Sequence, residues 1–317
     1  MSAFLGAVLQ GWLEEFLEDI RRRGYSPASY KVYRSDLSLF AKWAADQAEL
    51  ASAGDLTAAA LEKYQIHLML RATLQKRKSQ PRTLSACARN RSLAALRCFF
   101  RYLKKTCKLL SNPALELERA REPKRLPKVI LTVPEVARLL EVIPKDSPTG
   151  LRDWAAVELL YGTAVRRGEL LGLALSSMRL SEGLVHVIGK GSKERVIPLG
   201  KAAKRAVKEY LRRGRPQLAK GEHSALLVSC HHGGPVSENE LIEAIRKHAR
   251  QAQIKKRIRF HLFRHTAATH LLRGGADLRS LQALLGHTEL NTTAIYTRVE
   301  VSDLQRIIQR FHPREQE

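Results

Sequence analysis

A proline-containing stretch divides this chain more sharply than any other feature of its sequence. Ser111-Asn112-Pro113 ends a helical pattern, and a run with two further prolines follows it. Proline lacks a backbone donor and moves the residue before it out of the helical conformation. We therefore predict an extended linker over residues 112–127, between a first domain of residues 1–111 and a second of residues 128–317. A chain of 317 residues suits two domains of ordinary size.

Both predicted domains are strongly basic. The chain has 55 Lys and Arg against 31 Asp and Glu, which gives a net charge of +24. Up to residue 127 there are 23 basic and 12 acidic residues, or +11, and after it 32 and 19, or +13. A polyanionic partner is therefore expected, nucleic acid above all, and both domains are expected to contact it.

The cysteine content and the hydropathy indicate the compartment. Four cysteines without paired spacing are too few for a disulfide scaffold, which favours reduced thiols and a cytoplasmic location. Residues 1–12 lack a basic leader and continue into acidic residues, so they predict an amphipathic helix. No segment has the roughly 18 apolar residues that cross a bilayer, so no membrane partner is predicted.

The first domain has helical periodicity throughout. Leu9, Leu13, Phe16 and Ile20 recur at helical spacing, and Ser26-Pro27 is typical of a helix start. A bundle of short helices around one core is predicted.

One segment of this domain is purely basic. Residues 71–108 contain twelve Lys or Arg and no Asp or Glu. A solvated helix face is the ordinary explanation for such a run. We favour phosphate contacts, with Arg82, Arg89, Arg91 and Arg97 as candidates.

The second domain combines helices with a small sheet. Thr132-Val-Pro-Glu135 is typical of a capping box. Two β-branched runs, Val185–Ile188 and Arg195–Leu199, flank a glycine-rich turn and predict an antiparallel hairpin. The fold class is therefore mainly α, with a mixed α/β second domain.

Several residues of this domain could carry chemistry, yet each has an ordinary explanation when taken alone. Arg166 or Arg167 could form a surface ion pair with Glu169. Lys190 could be a turn residue, and Tyr296 a packed aromatic.

The histidines also have ordinary explanations. His261 and His265 have the spacing of a metal pair on a helix, but the glutamate of the HExxH pattern is missing and no further ligand is suitably spaced, so no metal or other cofactor is predicted. His287 alone is typical of a cap or core histidine.

Taken together, these residues have the order and approximate spacing of a known family. Chain segments that resemble its motifs are Arg23–Leu37, Gly162–Leu170, Gly189–Leu199 and Phe260–Val299, with His261-Leu-Phe-Arg-His265, Leu284-Leu-Gly-His287 and Ala294-Ile-Tyr-Thr-Arg298 as the most specific. They resemble the tyrosine recombinases, also called phage integrases. The terminal His312-Pro313-Arg314 and the length look similar to the Xer recombinases within that family.

The resemblance implies a fold and a set of catalytic residues. The fold would be an N-terminal SAM-like helical core-binding domain followed by the mixed α/β catalytic domain of the family. The catalytic residues would be Arg166, Lys190, His261, Arg264, His287 and the nucleophile Tyr296. Such an enzyme cleaves and rejoins duplex DNA through a 3′-phosphotyrosyl intermediate without a metal.

The resemblance also implies an assembly and leaves the biological role open. A homotetramer on DNA, or a heterotetramer with a related recombinase, is expected, with the apolar stripe of a C-terminal helix docked on a neighbouring protomer; packing on its own domain is the plainer interpretation. Chromosome or plasmid dimer resolution, integration of a mobile element and non-cleaving regulation are the candidate roles. Arg246, Lys247 and Arg250 are candidate groove contacts, although a solvated helix face explains them as well.

Overall fold

The computed structural model of the protein describes residues 2–73, 82–122, 129–189, 194–286 and 301–315. The chain forms two compact units, Met1–Arg125 and Leu126–Glu317. Each unit has a hydrophobic core of its own.

Helices build the described part of the first unit. They are α1 (Ser2–Arg22), α2 (Pro27–Ala45), α3 (Ala58–Leu70) and α4 (Ala86–Lys105), with short 3-10 turns at Ala53–Asp55 and Pro113–Leu115. A small antiparallel pair, β1 (Ala72–Thr73) and β2 (Arg82–Thr83), lies between α3 and α4. The predicted start of α2 is confirmed, because the Ser26 hydroxyl accepts a hydrogen bond from the backbone N–H of Ser29.

The core of the first unit follows the periodicity of the sequence. Leu9, Leu13, Phe16 and Ile20 on α1 are each at most 1% exposed. The Phe16 ring meets the edge of the Phe99 ring with 5.6 Å between centroids, which joins α1 to α4. The predicted helical bundle is thereby confirmed.

Part of the predicted linker packs against the first unit. Ala114 and Leu117 are buried in its core. The guanidinium of Arg97 donates hydrogen bonds to the carbonyl oxygens of Ala114 (3.0 Å) and Leu117 (2.6 Å). Pro113 begins a short 3-10 turn here instead of an α-helix, and Arg97 satisfies backbone carbonyls that this segment leaves without partners in a helix.

The second unit surrounds one buried helix. Its described helices are α5 (Val133–Val142), α6 (Pro148–Thr163), α7 (Arg167–Leu171), α8 (Lys201–Glu209), α9 (Arg215–Leu218), α10 (Glu238–Gln251), α11 (Phe260–Gly274), α12 (Leu278–Leu285) and α13 (Val301–Phe311). A π-helical turn at Tyr210–Gly214 joins α8 to α9, and 3-10 turns lie at Leu175–Ser177 and Pro313–Glu315. Residues 150–163 of α6 are all buried. The predicted capping box is confirmed, since Thr132 and Glu135 exchange hydrogen bonds at the start of α5.

The sheet of this unit contains the predicted hairpin. The strands are β3 (Met178–Arg179), β4 (Leu184–Ile188) and β5 (Glu194–Pro198), paired antiparallel in that order. Val185 lies opposite Ile197, and both are fully buried. The sequence did not predict β3, because two residues are too few to show an alternating pattern.

The C-terminal helix α13 packs on its own unit. Leu304 and Ile308 belong to the core of that unit. Beyond the helix, His312 is 1% exposed, and Arg314 donates to the buried carboxylate of Glu158. Among the described residues, no helix combines the length and the apolar character that crossing a membrane requires.

Candidate active site

Arg166 lies in the junction between α6 and α7. Ala164 ends α6 in the left-handed conformation, with φ of 52°, and Arg166 itself is extended. The Glu169 carboxylate accepts hydrogen bonds from the backbone N–H and from Nη1 of Arg166, both at 2.8 Å. The ion pair that the sequence allowed is therefore present, and it fixes the direction of the Arg166 side chain.

Arg264 projects from α11 into the same region. Its Nη1 donates to the carbonyl oxygen of Ala164 (2.8 Å), and its Nη2 donates to that of Leu285. Nη2 of Arg166 donates to the carbonyl oxygen of Gly286 at 2.9 Å. Two arginines that are far apart in the sequence thus bind the carbonyls of consecutive residues at the end of α12.

The electrostatics of this region favour an anion. Burial and, after it, the neighbouring charge of Arg166 together lower the pKa of Arg264 to about 10. Arg264 still carries its charge at neutral pH. Two guanidiniums that repel each other while remaining charged form a suitable pocket for a phosphate, whose oxygens match their planar N–H groups.

The structure places some of the predicted catalytic residues and not others. His261 is exposed on α11, one helical turn from Arg264 and on the same face. Lys190, His287 and Tyr296 lie outside the described residues. Their neighbours in the sequence are described: β4 ends two residues before Lys190, and Gly286 directly precedes His287.

Sequence reasoning missed one residue of this region. Arg195 on β5 donates two hydrogen bonds, each of 2.8 Å, to the two carboxylate oxygens of Glu169. A signal was available, because Arg195 shares its strand face with the buried Ile197. An arginine on the core side of a strand requires a buried acidic partner.

A group of potential metal ligands lies elsewhere in the described part of the second unit. The ligand atoms of Cys230, His231 and Glu240 lie within 4.8 Å of one another. Glu240 already accepts hydrogen bonds from the backbone N–H of Cys230 and from the almost fully buried guanidinium of Arg152. We interpret this carboxylate as the counter-ion of Arg152.

The predicted DNA contacts of α4 lie in different surroundings. Arg91 donates to both carboxylate oxygens of the buried Asp36, at 3.0 and 3.1 Å, and its own side chain stays 56% exposed. It lines a cleft of about 390 Å³ together with Lys42 and Arg71. Arg89 lines a separate cleft that also contains carboxylates.

The remaining candidate contacts differ in exposure. Arg97 holds the segment that follows α4, as described above, and the side chain of Arg82 lies outside the described residues. On α10, Lys247 and Arg250 are exposed. Arg246 donates instead to the Ile258 carbonyl and to Glu243. For all of these residues a DNA contact stays a prediction.

Family comparison agrees with the geometry of the site. Residues 130–302 match the Phage integrase family, and residues 13–106 match the Phage integrase N-terminal SAM-like domain. The chain belongs to the phage integrase family. It is thus a tyrosine recombinase, and the fold class predicted from the sequence is confirmed.

Relatives extend the match over nearly the whole chain. Tyrosine recombinase XerC 2 of Ralstonia nicotianae is 40% identical over 307 residues, which are 96% of this chain and 86% of the relative. Tyrosine recombinase XerD of Halalkalibacterium halodurans is 38% identical over 304 residues, 95% of this chain and 97% of the relative. This chain is therefore an Xer-like tyrosine recombinase, and its activity is DNA cleavage and rejoining in site-specific recombination.

A solved structure shares the fold. The XerH site-specific recombinase bound to palindromic difH substrate, in a post-cleavage complex, superposes with a TM-score of 0.65 at 18% identity. The match covers 100% of this chain and 83% of that one.

Proposed function

We propose that this recombinase acts on duplex DNA through six residues: Arg166, Lys190, His261, Arg264, His287 and Tyr296. The observation that supports this set best is the binding of Arg166 and Arg264 to the carbonyls of Gly286 and Leu285. Because His287 follows Gly286 in the sequence, both guanidiniums bind residues that directly precede the segment containing His287 and Tyr296.

Each residue has a distinct chemical role in the proposed reaction. The Tyr296 hydroxyl oxygen attacks the phosphorus and passes its proton to His261, while Lys190 protonates the departing 5′ oxygen. Arg166 and Arg264 neutralise the non-bridging oxygens as charge builds on them, and His287 donates to one of these oxygens.

The covalent product conserves the energy of the broken bond. One P–O bond to the 5′ oxygen is exchanged for one P–O bond to Tyr296, so a free 5′ hydroxyl can reverse the step. Rejoining therefore requires neither ATP nor a metal. If the hydroxyl comes from a second duplex, the strands are exchanged.

The proposed biological role is resolution of chromosome or plasmid dimers in the cytoplasm. The Xer relatives, similar over almost the full chain, support it. Exchange between two duplexes breaks four strands, and each tyrosine links to one strand. The working assembly is therefore four protomers, either of this chain alone or with a related recombinase.

Covalent trapping tests the nucleophile. A nicked suicide duplex lets the fragment with the free 5′ hydroxyl diffuse away, so the adduct accumulates. The full chain is expected to form it in excess EDTA, and Tyr296→Phe is expected to abolish it. Tyr25→Phe, which changes an exposed tyrosine of the first unit, is the matched control and is expected to retain the adduct.

Two other outcomes would assign another function. A wild-type chain that binds duplex DNA without any adduct is a non-cleaving regulator. Cleavage that disappears in EDTA indicates a metal-dependent nuclease.

A further inference from the structure

Arg195 connects the hairpin to the arginine pocket, which is the pocket formed by the guanidiniums of Arg166 and Arg264. It lies on β5 opposite Val187, and its side chain is 16% exposed. Both of its terminal nitrogens donate to Glu169, one to each carboxylate oxygen. Such a two-point ion pair fixes the orientation of both side chains.

The same carboxylate also holds Arg166. Glu169 is 3% exposed and, among the described residues, accepts two hydrogen bonds from Arg195 and two from Arg166. Burial alone would raise the pKa of this carboxyl, but the bonds from Arg195 and then Arg166 outweigh it and hold the pKa at about 2. Glu169 is therefore ionised at any working pH.

Arg195 also packs against the end of α12. Gly286 has a positive φ of 60°, and a Cβ atom built on it would lie 3.2 Å from Nε of Arg195. The Gly286 carbonyl is the acceptor for Arg166. Arg195 thus binds Glu169 and lies close to Gly286, the two residues that orient Arg166.

The charges show what Arg195 contributes. Arg166, Arg195 and Arg264 carry three positive charges, and Glu169 carries one negative charge. Arg195 neutralises Glu169, so the charge of Arg166 is left for a phosphate. Without Arg195, Glu169 would compete with the phosphate for the same guanidinium.

We propose that Arg195 is a positioning residue of the recombinase. It holds Glu169 so that Arg166 is oriented and electrostatically available to the scissile phosphate, and it links that pocket to the hairpin that leads to Lys190. This inference rests on the proposed role of Arg166.

Single-turnover cleavage of a suicide duplex by the full chain tests the inference. Arg195→Gln is expected to slow cleavage by about 10²-fold, the size of the effect of losing one transition-state donor. Arg195→Lys keeps the charge but not the two-point geometry, and should lie between Arg195→Gln and wild type. Arg179→Gln, which changes an exposed arginine of the same sheet, is the control and should cleave at the wild-type rate.

Two further measurements separate positioning from mere stabilisation of the fold. A methylphosphonate at the scissile position removes one anionic oxygen, so the defect of Arg195→Gln should shrink on that substrate. Adding Arg195→Gln to Arg166→Ala should slow cleavage by less than threefold more, because the two residues act through one guanidinium. Arg195→Lys carries both measurements if Arg195→Gln does not fold.

The possible results distinguish the two proposals. Equal defects on both substrates, additive effects with Arg166→Ala, or unchanged cleavage by Arg195→Gln would overturn the positioning role. If Tyr296→Phe formed as much covalent adduct as the wild-type chain, the proposed function would be overturned instead.

Discussion

The arginine pocket depends on two backbone positions in the left-handed conformation. Ala164 ends α6 and Gly286 ends α12, and each supplies the carbonyl that one guanidinium binds. The left-handed conformation costs an alanine roughly 1–2 kcal/mol. Glycine removes that cost at Gly286, where contact with Arg195 also leaves little room for a side chain. At Ala164 the strain is retained within the site itself.

The buried side chain of His312 is expected to make the stability of the chain depend on pH. Its Nε2 lies 3.2 Å from the carbonyl oxygen of Tyr161, and its Nδ1 accepts from the backbone N–H of Arg314. The ring is therefore held neutral, with its proton on Nε2. Burial lowers the pKa of His312 from 6.5 to about 4, and the nearby His270 and Arg314 contribute in the same direction.

The sign of the effect follows from this lowered pKa. Between pH 6.5 and 4 the unfolded chain binds a proton that the folded chain does not, so the free energy of unfolding decreases as the pH falls. The expected loss over this window is about 3 kcal/mol. Denaturant unfolding at pH 7 and at pH 5 covers the part of this window above pH 5 and should show a loss of about 2 kcal/mol, and His312→Gln should show a smaller difference between the two. Equal differences in both proteins would contradict the prediction.

Residue types and spacing predicted part of this site and not the rest. The motifs predict Arg166 and Arg264 as site residues, because each lies in a short local pattern. The role of Arg195 was missed, since its partner Glu169 is 26 residues away and the contact exists only once β5 packs beside α7. Local patterns indicate which residues react, whereas non-local packing decides which residues hold them.

Among the elements, α13 has a sequence pattern that allows docking either on its own unit or on a neighbouring protomer. An amphipathic helix needs an apolar surface, but its periodicity does not say which molecule provides that surface. The structure packs Leu304 and Ile308 of α13 into the core of their own unit. The family resemblance implied a neighbouring protomer.

Stability of the DNA-free chain distinguishes the two dockings. Ile308→Ala is expected to lower the free energy of unfolding by about 2–4 kcal/mol, because it leaves a cavity in a fully formed core. Gln309→Ala, which changes an exposed residue of the same helix, is the control and should change it by less than about 0.5 kcal/mol. If Ile308→Ala were as stable as wild type, α13 would not be packed into the core of its own unit before assembly.

The other elements differ in how far the sequence determined them. The hairpin of β4 and β5 was predicted because both strands are β-branched and flank a glycine-rich turn. The segment 113–117 was predicted as extended linker, yet it lies on the first unit, held there by Arg97. Proline content predicts that an α-helix does not continue, but it does not predict which side chains bind the backbone carbonyls of the segment.

At the scale of the whole molecule, the net charge of +24 predicts how DNA binding responds to salt. Each phosphate contact releases counterions, so the logarithm of the binding constant should fall linearly with the logarithm of the salt concentration. We predict that the cleft lined by Lys42, Arg71 and Arg91 makes such contacts on the first unit. Serine side chains along the same cleft add neutral donors for phosphate oxygens.

Substitutions in this cleft measure its share of the binding. Lys42→Gln and Arg71→Gln should each reduce the slope by about one, with the loss of affinity similar on all sequences. Lys63→Gln removes an equal charge from an exposed pair with Glu49 and should leave the slope unchanged. Fluorescence anisotropy of the full chain on a labelled duplex, at several salt concentrations, gives the slopes. If all three variants reduced the slope equally, binding would depend on net charge alone, and the cleft would have no contact of its own with the phosphates.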